Sequence, residues 1–74
     1  MARQSAREFD VVIEKDAEGY FVATVPALPG CHTQARSLDE LMERTKEAIA
    51  LCLEVQGMPP KGLDFVGVQR IRVA

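Results

Sequence analysis

The sequence has no tryptophan, one tyrosine and three phenylalanines. It has two cysteines, Cys31 and Cys52, too few for a disulfide-stapled secreted scaffold. No CxxC pair or histidine-rich spacing suggests a zinc site, and His32 is the sole histidine. Excess positive charge is also missing. Nine basic against eleven acidic side chains give a net charge of −2, which argues against tight autonomous binding to nucleic acid. No run approaches the ~20 apolar residues that span a bilayer. The opening MARQSAREF has no apolar core of a signal peptide. A cytoplasmic chain with reduced thiols and no membrane partner is expected.

What is present fits one small domain over residues 1–74: 47% of residues are apolar and 27% charged. A chain this short buries only about 60% of its unfolded surface, so a second subunit is an expected supplement to its core. Phe9, Val11 and Ile13 alternate with Asp10, Val12 and Glu14, the period-two pattern of a strand. Asp16-Ala17-Glu18-Gly19 then supplies turn chemistry, and Tyr20 to Val25 forms the return strand of an antiparallel hairpin. Its first face carries Phe21, Ala23 and Val25. The other carries Tyr20, Val22 and Thr24 together with Asp10, Val12 and Glu14, a partly apolar surface suited to a partner.

Pro26 ends the second strand, Pro29-Gly30 turns the chain, and Cys31 to Ala35 is long enough for a short third strand. Ser37 and Glu40 make the signature of a capping box. The helix they open carries Leu38, Leu41, Met42, Thr45, Ala48, Ile49, Cys52 and Leu53 on one stripe and stops at Gly57, before Pro59 and Pro60. Leu63 to Val73 reads as a last strand, with Ile71 and Val73 opposite Arg70 and Arg72. The expected fold is α+β with two layers in the order β-β-β-α-β: a small, mainly antiparallel sheet with one long helix on one face.

The run EGYFVATVPALPGCHTQARSLDELMERTKEA, Glu18 to Ala48, resembles the HicB-like antitoxin family of toxin–antitoxin pairs. The motif residues are Pro26, Pro29, Gly30, Cys31, Thr33 and the helix-leading Ser37. The resemblance implies a truncated ribonuclease-H-like fold and a HicA-type toxin partner, an mRNA interferase whose active site the antitoxin covers. Many such antitoxins carry an additional C-terminal DNA-binding domain; none is expected in this chain. Where the family has Gly-Asp/Glu-Thr/Ser before the helix, this chain has Ala35-Arg36-Ser37.

Several residues invite a chemical role. Cys31 and His32 are chain neighbours, and neighbours on a strand point to opposite faces, so a nucleophile–base pair is not expected. Asp10 and Glu14 share a face and give the alternative of a minimal metal-dependent nuclease, although two-metal chemistry needs more converging carboxylates than these. The pattern favours a binding module over an enzyme, with no cofactor implied. Tyr20, Leu28 and His32 are the candidate partner-binding residues, the last two presented by the stiff proline connector. A homo-oligomer, a dimer first, is expected through a sheet edge or the open face. An oligomeric binding protein that has lost its toxin is a further alternative.

Overall fold

The computed structural model describes residues 8–59 and 64–74. Three strands, β1 (Val12–Lys15), β2 (Phe21–Thr24) and β3 (His32–Ala35), are followed by one helix, α1 (Leu38–Gln56). The strands form an antiparallel sheet in the order β1-β2-β3. Ile13 stands opposite Ala23, and Ala23 opposite Thr33.

The β1–β2 turn is built by Asp16. Its Oδ1 accepts from the amides of Glu18 and Tyr20, both at 2.9 Å, while the Asp16 amide donates to the Tyr20 carbonyl at 2.8 Å. Gly19 sits at φ +93°, a left-handed conformation that costs glycine no Cβ clash. The hairpin therefore forms, although β1 is shorter than the period-two pattern: Phe9 to Val11 lead into it without ladder pairing.

Ser37 caps α1 as expected, its Oγ accepting from the Glu40 amide at 3.1 Å. The other half of the box is absent from the observed hydrogen bonds. The Glu40 carboxylate turns along the helix to Arg44, at 2.9 and 3.2 Å. At the far end the Gly57 amide donates to the Leu53 carbonyl at 2.8 Å.

The helix packs over β3 and β2 and leaves β1 without a helix above it. Two adjoining clusters fill the interface. One joins Ala23, Ala35 and Leu41, with Val11 and Phe21 packed against them. The other joins Val25, Leu28 and Cys31 with Phe9, Ala48, Ile49, Cys52 and Leu53. Thr45, buried on the helix stripe, donates from Oγ1 to the Leu41 carbonyl at 2.6 Å, so its burial leaves no polar group unmatched.

The α+β two-layer arrangement is as expected for the first four elements. Among the described residues the final strand is not formed. Asp64 to Ala74 runs without helix, turn, bend or ladder pairing, and Leu63 lies outside the described residues. An alternating sequence supplies the character of a strand, but a ladder also requires a neighbour, and none of the described residues pairs with this segment.

Candidate functional site

The sheet has one face covered by α1 and one open. The register places Val12, Thr24 and His32 in one row of the open face, and Glu14, Val22 and Gln34 in the next. Beyond that row the pairing of Phe21 with Ala35 brings Tyr20 alongside Arg36. Val12, Val22 and Tyr20 are half-buried, whereas Glu14, Thr24, His32 and Gln34 are exposed. An apolar strip thus runs through a rim of hydrogen-bonding groups.

Tyr20 is held firmly. The Arg36 Nη2 donates to its hydroxyl at 2.8 Å, and the guanidinium carbon stands 4.7 Å from the ring centroid. Stacking combined with a hydrogen bond fixes both side chains, so the ring is presented with little rotamer freedom left to lose. Beside this pair, Gln34, Glu40 and Arg44 line a shallow polar depression. Arg44 holds the Glu40 carboxyl below its usual range through the hydrogen bond and the attraction of its charge. The role of Arg36 was not legible in the linear sequence, because it depends on a register that brings residues sixteen apart into contact.

His32 is exposed, as expected. Leu28 is not available to a partner: it is 1% exposed and belongs to the core. The correction follows from how the connector folds. The Val25 amide donates to the Cys31 carbonyl at 3.0 Å, Leu28 to Val25 at 3.0 Å, and Cys31 to Leu28 at 2.9 Å. These bonds curl the Pro26–Gly30 segment back on itself and drive Leu28 beneath the end of the helix. Gly30 accommodates the reversal at φ +78°, and Gln56 Nε2 ties the helix to the Pro29 carbonyl at 2.9 Å. The motif residues Pro26, Pro29 and Gly30 lie on the surface of this loop, and half-buried Thr33 follows on β3.

Cys31 and Cys52 are both free thiols. The Cys31 Sγ lies 3.6 Å from the Ala48 carbonyl, to which it donates. Burial, followed by the neighbouring Cys52, pushes its pKa from 9.0 up to about 11. A nucleophile needs the opposite shift. His32 and Cys31 lie on opposite sides of the sheet, one exposed and one buried. Asp10 and Glu14 have no third ligand to complete a site: among the described residues no three histidine, cysteine or acidic side chains converge on a metal position. Nor is any helix among them long and apolar enough to cross a membrane.

Residues 9–65 match the model of the HicB_like antitoxin of bacterial toxin-antitoxin system. The chain belongs to the HicB-like antitoxin family. Relatives bear the name UPF0150 protein. One from Archaeoglobus fulgidus is 62% identical over 66 residues, covering 89% of this chain and 94% of the relative. One from Synechocystis is 39% identical, covering 90% and 96%. Another from Thermotoga maritima is 38% identical over 88% of each chain. The family match spans β1 through α1, so the open sheet face, the curled connector and the capped helix all lie within it.

Proposed function

We propose that this chain is a non-enzymatic, cytoplasmic antitoxin domain that works as a homodimer. In this reading its open sheet face seats a small HicA-type mRNA interferase and so covers the toxin's active site. The observation that carries the reading is the open face itself, where Val12, Val22 and the clamped Tyr20 form an apolar strip among Thr24, His32 and Gln34. Interfaces are assembled from such parts: an aromatic anchor, an apolar centre and a polar rim. Membership of the HicB-like family supports the choice of partner.

The chemistry of occlusion makes few demands on the antitoxin. It needs a complementary surface and no reactive group, which agrees with the inert setting of Cys31. An RNA-cleaving partner is expected to be cationic, and the acidic groups of this chain, which outnumber the basic ones, favour its approach. The reading predicts a small, basic HicA-like reading frame beside this one, and the test is co-expression with its product, followed by co-purification and an RNA-cleavage assay. Tyr20→Ala and His32→Ala are expected to weaken binding by about tenfold or more if these residues are anchors. Glu54→Ala, on the exposed helix face, should leave binding unchanged. No co-purification, together with undiminished cleavage, would end the proposal.

A further inference from the structure

Beyond the sheet and helix, the segment from Phe65 to Ala74 is the least accounted-for part of the molecule. Phe65 lies in an open groove with Phe9, Pro26, Pro29 and Met58, next to the residues that lead into β1. After it the chain departs from the body. Val66 is 94% exposed and Val73 86%, and Val68 and Ile71 are nearly as bare. Among the described residues no backbone–backbone hydrogen bond engages residues 64–74. The molecule is accordingly elongated, 51 Å along its longest axis, with a radius of gyration of 14.4 Å. A compact chain of this length would have a value of about 11 Å.

Four aliphatic side chains and a row of unpaired amides are poorly suited to solvent, and their composition is that of a strand. The matching vacancy is at β1. It is an edge of the sheet, it has no helix over its inner face, and Ile13 there is 42% exposed. The charges match as well. A strand that points Ile71 and Val73 toward Ile13 points Arg70 and Arg72, with Val66 and Val68, to the other face, where β1 and its lead-in carry Glu14, Val12 and Asp10. No ion pair engages either arginine among the described residues. The described residues show no ladder pairing of this segment with the chain's own β1.

We infer that residues 66–73 of one copy add as a fourth strand to the β1 edge of a second copy, and that the exchange is reciprocal. The dimer is then closed by a two-fold axis, with the same segment given and received by each chain. This supplies contacts for the dimer named above, and it uses the sheet edge, leaving the open face to a toxin. It therefore stands or falls separately from toxin binding.

The test is the mass of the full chain in solution at about 10–100 µM, combined with amide hydrogen exchange. The wild type is expected at twice 8.2 kDa, with the amides of 66–73 slowed more than about tenfold and released on dilution. Amides of opposite parity face opposite sides of a strand, so a Val68→Pro/Ile71→Pro double variant removes a ladder donor in any register. It should be monomeric with an unchanged helical circular dichroism spectrum. Arg70→Glu/Arg72→Glu and Asp10→Lys/Glu14→Lys should each fail to self-associate, yet form a mixed dimer with one another. A monomeric wild type overturns the inference, as does a proline variant that stays dimeric or a charge-swapped pair that does not associate. Any of these results leaves the pull-down with the toxin to be judged alone.

Discussion

Replacing Leu28 with alanine separates a core role from an interface role. The side chain is 1% exposed and packs with Val25 and Cys31 under Ala48, Ile49, Cys52 and Leu53. Leu→Ala at buried sites costs about 2–5 kcal/mol, through lost transfer energy and the cavity left behind. Leu28 sits on a loop that can partly collapse into the space, so the lower half of that range, about 2–3 kcal/mol, is expected. A chain of this size has roughly 4–11 kcal/mol to lose. The variant should therefore unfold at a markedly lower urea concentration, with its melting point down by about 10–20 °C. Urea titration followed by helical circular dichroism measures this, at one fixed protein concentration because self-association contributes to apparent stability. Leu51→Ala, at a position 61% exposed, is the control and should move stability by less than about 0.5 kcal/mol. A Leu28→Ala protein as stable as the wild type but unable to hold a partner would refute the argument and return Leu28 to the surface.

Further outcomes follow from the geometry. Cys31, with its pKa pushed to about 11, should be alkylated by iodoacetamide at pH 8 far more slowly than free cysteine, as mass spectrometry of the native protein would show. Because the folded state holds this proton more tightly, the associated stability is complete below about pH 9.0 and is lost as pH rises toward about 11; an increase in stability over that window would contradict the assignment. Asp16→Ala removes the acceptor for the Glu18 and Tyr20 amides and should cost about 1 kcal/mol by urea unfolding, with the hairpin amides exchanging faster. Arg44→Ala should raise the Glu40 pKa in an NMR titration while changing stability by less than about 0.5 kcal/mol, since the pair is exposed. In the wild type, what the pair contributes is present above the ordinary carboxylate pKa of 4.5 and fades as pH falls through the lowered value.

The elements read most directly from sequence were those set by contacts within a few residues. Asp16 and Gly19 build their turn from hydrogen bonds spanning four positions, and Ser37 caps its helix across three. Leu28 lay beyond that reach. A leucine between two prolines reads as a surface connector, and only the Val25–Cys31 backbone pairing turns it inward. Arg36 was likewise opaque, because its value to Tyr20 depends on how β2 and β3 are aligned. The segment ending at Val73 had the residues of a strand, but pairing is a property of two segments, and its neighbour is not in the same molecule under the exchange inferred above.

The order β1-β2-β3-α1 carries a consequence for synthesis. Each strand pairs with the one made just before it, and the helix packs on the last strand completed. Such nearest-in-sequence topology favours rapid folding. Domains form from the N-terminal side as the chain emerges. The sheet and helix can therefore close without residues 64–74, so folding and assembly are separate events. A newly made chain would first exist as a finished body with a strand yet to place, and its route to the dimer would be second order in protein concentration.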